Sequence, residues 1–412
     1  MAAQTEQRLD WAGALRVDYV LLGIVAGLLI IGLIMVWSVT FAPNVGQLPS
    51  PQSDFIKQAG YALVGLIILF ALARIDYHVW GRAAILLMVI AVCALIALLF
   101  TTPINGARRW LLDGSIQPSE FAKFAMIVYM ARWLSSKGEK LRNVTYGLLP
   151  FGIIVGAIAG LVMLQPNLST AIIIGLCALA MFFIAGADAV QFALLLIVGG
   201  VSTGIVIFNM PHALERFTVF LQDPFALAGS EGYQIAETLI ALGSGGLLGR
   251  GIGSGYAKFG YVPAPHTDSI FALLGEEMGL VGTWIVLALY LFLVYRGFRI
   301  AARATDPFGQ VLAAGLTFWL IFQAFVNIAV VTATIPFTGV PLPFISFGGS
   351  ALIAALAAVG VLLNISRSAS AAKEDNATFN FGWRDRGTRV PRANGRRRDA
   401  EPSSRSTRAR SR

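Results

Sequence analysis

The chain has 412 residues, of which 57% are hydrophobic and only 13% charged. Soluble domains carry about 25% charged residues, so this balance excludes a soluble globular enzyme, and the wealth of apolar residues excludes a chain disordered along its length. The net charge of +9 belongs to one end: residues 367–412 hold 13 Lys+Arg against 5 Asp+Glu, and the rest is close to neutral.

The apolar residues come in continuous runs, not in alternation, so they read as membrane-spanning helices and not as barrel strands. Residues 1–16 are polar and read as a cytoplasmic segment. The first apolar run is too long for the core of a cleavable signal peptide. Ten spans are predicted, at about 19–40, 57–73, 79–101, 119–135, 146–164, 168–186, 189–209, 269–296, 309–331 and 344–364. Cys93 and Cys177 sit inside such runs and read as small buried hydrophobes, with no disulfide framework or zinc spacing.

An even number of spans puts both termini on one side. Arg8, Arg16, Arg74, Arg82, Lys137, Lys140, Arg142, Arg296, Arg299, Arg303 and the basic tail then face Arg108, Arg109, Arg216, Arg250 and Lys258 across the membrane. The positive-inside rule makes the richer side cytoplasmic. The expectation is an all-α polytopic membrane protein, N-in and C-in, with a membrane domain over 17–365. A large extracytoplasmic loop joins spans 7 and 8, and a basic, disordered cytoplasmic tail covers 366–412. Within the large loop, Ile235, Leu239 and Leu242 recur at helical spacing and predict an amphipathic helix at the membrane surface. The tail's charge suits anionic headgroups or an acidic partner.

Polar residues near the hydrocarbon are costly, so their clusters are candidate sites. Four clusters lie on the outer side of this topology. The first joins GARRW (106–110) to QPSEFAK (117–123). Ser119 reads as a helix cap, and Glu120 and Lys123, spaced i,i+3, form an ion pair or, with Arg108 and Arg109, a diphosphate cradle. The second is QPNLST (165–170), where Gln165 is a supporting residue and Asn167 or Ser169 a cap. The third runs from GYQIAETLIALGSGGLLGRGIGSG (232–255) through Lys258 to PHTDSIFALLGEEMG (265–279). Its glycines match neither a phosphate loop nor a dinucleotide fingerprint. Thr267 or Asp268 could cap the helix that follows, and Asp268 and Glu276 would share a face about 12 Å apart along the axis. A carboxylate at a helix N-terminus tends to stay ionised and could accept a proton from a sugar hydroxyl, its lowered pKa making it a weak base unless desolvation offsets that. The fourth is PFTGVPLPFISFGGS (336–350), which cannot form regular helix and contributes Ser346 as a candidate contact. Gln323 and Asn327 read as hydrogen-bonding glue between helices.

Taken together, NGARRW with QPSEFAK, QPNLST, GYQ with GSGGLLGRGIG, PHTD with GEEMG, and NIAVVTATIPFTGVPLPFISFGGS resemble the SEDS family (shape, elongation, division, sporulation) over about residues 17–365. The NGARRW and QAFVNI wording and the basic tail favour its division-type branch over its elongation-type branch. The resemblance implies a ten-helix fold and an inverting peptidoglycan glycosyltransferase that polymerises lipid II in the bacterial cytoplasmic membrane, at the division septum. It implies a class B penicillin-binding protein and other divisome membrane proteins as partners, no nucleic acid, and a divalent cation, Mg²⁺ or Mn²⁺. It makes Asp268 the catalytic aspartate. The expected substrate and diphosphate contacts are Arg108, Arg109, Glu120, Lys123, Arg216, Lys258, His266, Thr267 and Ser346, with Glu276 and Gln165 supporting. The sequence departs from the family pattern at Ala264 and Asn167, where acids are usual, at Glu237, where Gln is usual, and at Ser269, where Phe is common. A lipid II flippase is the alternative from another class, and a scaffold for the transpeptidase a third.

Overall fold

The computed structural model describes residues 18–40, 52–101, 108–111, 116–226, 230–263 and 265–384. The chain divides into two compact units, Met1–Ala371 and Ala372–Arg412. Among the described residues there are twelve α-helices and no strand, only an isolated bridge between Leu111 and Ile116.

The helices are α1 Tyr19–Thr40, α2 Gln52–Arg74, α3 His78–Leu98, α4 Pro118–Ser135, α5 Leu149–Met163, α6 Leu168–Ile184, α7 Ala189–Asn209, α8 Pro211–Phe220, α9 Ser230–Ser244, α10 Ile270–Arg303, α11 Pro307–Val331 and α12 Gly349–Arg384. Among the described residues eight spans are long and apolar enough to cross a membrane, α5 counting among them with the π-helical turn that begins at Val144. Of the ten expected spans, α6 is a shorter apolar helix, and α4 carries Glu120, Lys123 and Arg132 along its 18 residues. The last helix was expected to end near 364 and continues to Arg384. Its extension contains Ala369, Ala371, Ala372, Lys373 and Glu374, all good helix formers. The terminal segment 1–16 and the tail beyond Arg384 lie outside the described residues, as does Ala264.

Sequence chemistry sets the helix boundaries. Asn167 accepts from Thr170 N and caps α6, Asp188 accepts from Val190 N and caps α7, and Asp306 accepts from Phe308 N and Gly309 N at the start of α11. Ser119 does not cap α4: the helix opens at Pro118 behind Gln117, and the Ser119 hydroxyl is buried without a partner. α11 is the central helix, packed on α10, α4 and α6, and it buries Trp319, Gln323 and Asn327 among its apolar residues.

The large loop holds α8, which was not foreseen, and α9, which matches the expected amphipathic helix; Ile235 and Leu239 of α9 pack with Val219, Val330 and Phe337 of the protein itself.

The glycine-rich segment 245–251 does something no periodicity shows. α10 is broken at Gly279 (φ 66°, ψ −166°). Arg250 N and Gly251 N donate to Glu276 O and Glu277 O at 3.0 Å each, while Leu280 N and Val281 N donate to Gly246 O and Leu247 O at 2.9 and 3.1 Å. In an unbroken helix those carbonyls and amides would pair with each other four residues apart. Here the loop is inserted into the break and satisfies both sides of it. The approach is so close that a Cβ on Gly279 would fall 2.2 Å from Gly249 N.

Candidate active site at the mouth of α10

Asp268 lies two residues before α10 and caps nothing. Ser269 occupies the cap position, and no side chain bonds there. The expected Asp268–Glu276 helix face therefore does not exist, because Asp268 is on a turn outside the helix.

The turn is held by the irregular segment 336–348. Ser346 Oγ donates to Thr267 O (2.7 Å) and accepts from Leu342 N (2.8 Å). Phe347 N donates to His266 O (2.8 Å), and the two rings meet edge to face at 5.3 Å. Asn327 Nδ2 donates to Asp268 O (2.8 Å) and to Val340 O (2.7 Å). Gln58 bridges Ser346 O and Gly348 N from α2. Ser346 is thus a clamp for the turn that carries Asp268, its hydroxyl buried and bonded at both ends. Gly339 brings bare backbone to the carboxylate: a Cβ there would sit 2.9 Å from Asp268 Oδ2.

The electrostatics favour a base. Burial raises Asp268 to about 6, and Arg216 and Arg109 work against that rise. Desolvation supplies the offset that a base at this position needs: the group is off the helix, and burial outweighs its cationic neighbours. Arg109 is itself lowered, first by burial and then by repulsion from Arg216. Its guanidinium donates to Pro166 O, which ties it to the joint of α5 and α6. Arg216 rides on α8 with its guanidinium 5.6 Å from the Phe337 ring. His266 is lowered by burial, with Asp54 pulling the other way.

Several expected contacts are engaged elsewhere. Arg108 donates to Leu99 O (2.6 Å) at the end of α3. Lys123, almost fully buried, sits 2.8 Å from Glu120 and donates to Gln323 Oε1 (2.7 Å). Gln323 in turn donates to Pro341 O (3.0 Å). Glu120 and Lys123 thus form the buried ion pair, linked through Gln323 to segment 336–348. Lys258 is also buried, 2.9 Å from Glu277 and 3.1 Å from Ser38 on α1. Glu276 spends its carboxylate on Tyr256 N (2.7 Å) and Ala257 N (3.1 Å), with Arg250 at 3.9 Å. The sequence reading chose Glu276 and passed over Glu277, which takes Lys258, both oxygens' contact with Ser38, and Gly253 N. Both acids staple the glycine-rich loop. Gln165 is buried and donates to Leu95 O (2.9 Å), a tie between α5 and α3.

Among the described residues no three of His, Cys, Asp and Glu gather, and Asp268 feels the charges of Arg216 and Arg109.

A family model described as "Cell cycle protein", covering FtsW, RodA and SpoVE, matches residues 19–371. The chain belongs to this FtsW/RodA/SpoVE family. Stage V sporulation protein E of Bacillus subtilis is 39% identical over 359 residues, covering 85% of this chain and 97% of that one. A probable peptidoglycan glycosyltransferase FtsW of Geobacter sp. (strain M18) is 37% identical over 358 residues, covering 85% and 96%. Among solved structures, Thermus thermophilus rod shape determining protein RodA matches with a TM-score of 0.64 at 26% identity, covering 86% of this chain and 98% of that one. A chain of a peptidoglycan synthase complex, studied for its coordination of polymerization and crosslinking, matches with a TM-score of 0.69 at 26% identity, covering 86% and 99%. The FtsW/RodA/SpoVE match takes in every element around Asp268.

Proposed function

We propose that this chain is a peptidoglycan glycosyltransferase that polymerises lipid II into β-1,4 glycan strands for the division septum. Relatives named as peptidoglycan glycosyltransferases FtsW support the reaction class. The observation that carries the site is the carboxylate of Asp268, desolvated yet flanked by Arg109 and Arg216 and open to bare backbone at Gly339.

The chemistry follows from those groups. A carboxylate near pKa 6 is mostly ionised at neutral pH and is a stronger base than one in water. Asp268 takes the proton from the 4-hydroxyl of the acceptor sugar. The freed oxygen attacks the donor's anomeric carbon from the face opposite the diphosphate, so the configuration inverts. Arg109 and Arg216 balance the charge that grows on the departing diphosphate, as preorganised cations do in a water-poor site. The products are the lengthened glycan and a polyprenyl diphosphate, with the proton on Asp268.

The remaining expectations are proposed with this reading. α1–α7 and α10–α12 make ten spans, N-in and C-in, with α8, α9 and the site on the extracytoplasmic side of the cytoplasmic membrane. A class B penicillin-binding protein and other divisome proteins are the partners, supported by the likeness to a synthase-complex chain. Arginines suit diphosphate oxygens, and a divalent cation, Mg²⁺ or Mn²⁺, shared between Asp268 and the diphosphate belongs to the same reading. The test is purified protein in liposomes with labelled lipid II, read on a gel for glycan strands. Polymer is the expected result. Transbilayer movement of label without polymer would replace this reading with a flippase.

A further inference from the structure

Asn327 is the residue that joins the two halves of the site. It stands on α11, buried, with its Nδ2 bonded to Asp268 O on one segment and to Val340 O on another. Val340 follows Gly339, the glycine against the Asp268 carboxylate. No helix or strand ladder joins segments 265–269 and 336–348. They are registered by Asn327, by Ser346 on Thr267 O, and by the Phe347–His266 backbone bond.

Packing alone does not explain an amide here. Both carbonyls take hydrogens, so the nitrogen must face them. That orientation leaves Asn327 Oδ1 buried without a partner among the described residues. A buried acceptor left unmade is a net cost; a leucine of similar branching would remove that acceptor but leave the carbonyls of Asp268 and Val340 without this donor. What the amide supplies, and leucine cannot, is two donors from one atom to two separate segments.

We propose that Asn327 is a positioning residue for the transfer reaction, fixing the backbone of Asp268 against Gly339 so that the carboxylate meets the acceptor hydroxyl. This inference rests on the proposed function, since it gives Asp268 the base role. It makes Asn327 more than glue between helices: its loss moves the base without removing a substrate contact.

The effect is thus on turnover and not on binding. Asn327→Leu removes both donors. Asn327→Asp, nearly isosteric, turns an acceptor toward two carbonyls and adds negative charge behind Asp268. The charged groups facing Asp268 are Arg109 from the 108–111 segment and Arg216 from α8, and His266, lowered by burial, lies beside it on the same turn. With those unchanged, added negative charge raises the base's pKa.

The experiment uses the full chain in liposomes with lipid II and measures kcat, KM and the pH profile of wild type, Asn327→Leu, Asn327→Asp and Asp268→Asn. Misplacement of about 1 Å costs on the order of 10²-fold in rate. The expected result is a kcat loss of roughly tenfold or more in both Asn327 variants, KM little changed, and an acid limb shifted upward in Asn327→Asp. If Asn327→Leu does not fold, Asn327→Asp carries the test alone. An Asn327→Asp protein with wild-type kcat and acid limb overturns the inference, provided Asp268→Asn is inactive. An active Asp268→Asn overturns the proposed function instead.

Discussion

Gly339 stands so close to Asp268 that a methyl group on its α-carbon would lie 2.9 Å from the Oδ2 atom. The contact is with the end of a side chain, which can swing away, and not with backbone. Gly339→Ala is therefore expected to fold normally and to displace the carboxylate. Because misplacement of about 1 Å costs on the order of 10²-fold, polymerisation should fall at least tenfold while the melting temperature stays within a few degrees. Thermal unfolding in detergent and a lipid II gel assay read the two separately.

The pH profile follows from the same carboxylate. In the proposed base role Asp268 acts only when ionised, and burial raises its pKa to about 6. Activity should be lost as pH falls through that value. Arg216→Ala or Arg109→Ala removes a charge that holds the group down, so the acid limb moves up in each, together with a loss of turnover from weaker diphosphate neutralisation. Initial rates between pH 5 and 8 check both the limb and its direction of movement.

Glu277 and Lys258 form a nearly dry ion pair at 2.9 Å, with side chains 1% and 2% exposed. Breaking such a pair on one side strands the other charge and costs about 3–5 kcal/mol. Glu277→Gln should lower the melting temperature markedly. The double substitution Glu277→Gln with Lys258→Met should recover much of the loss, and thermal denaturation of the three proteins decides it. A role in diphosphate binding would instead leave the double variant stable and specifically deficient in substrate binding.

Gly279 has φ 66° and ψ −166°, a region open essentially to glycine alone. It is also pressed against the inserted loop at Gly249. Gly279→Ala meets both strain and collision with backbone that cannot move aside. The expected outcome is failure to accumulate as a monodisperse protein, seen by size-exclusion chromatography after extraction.

How much of this was legible in the sequence depends on which forces act locally. The positions of α1–α7 and α10–α12 follow from apolar runs and from caps such as Asn167, Asp188 and Asp306, which are local. The irregularity of 336–348 follows from its prolines and glycines. α8 has a local signature in Pro211 at its first turn with Leu214, Phe217 and Phe220 at helical spacing, but at 10 residues it is too short to register as a span. The pairing of Lys258 with Glu277 instead of Glu276 was not legible. It depends on the break at Gly279 and on a loop 30 residues earlier in sequence filling it, which is tertiary information. The same holds for Lys123: spacing gave its bond to Glu120, while its burial against Gln323 depends on how α4 meets α11. Asp268 was legible as a candidate. Its raised pKa was not, because the turn outside the helix and the desolvation around it are products of the folded segment 336–348.

The most direct measurement is lipid II polymerisation by the purified full chain carrying Asp268→Asn, beside wild type and at matched thermal stability. The asparagine keeps the shape of the turn and its bonds to Asn327 and removes only the base. The account predicts no glycan strands above background at any pH from 5 to 8. Strands formed at near wild-type rate would contradict it.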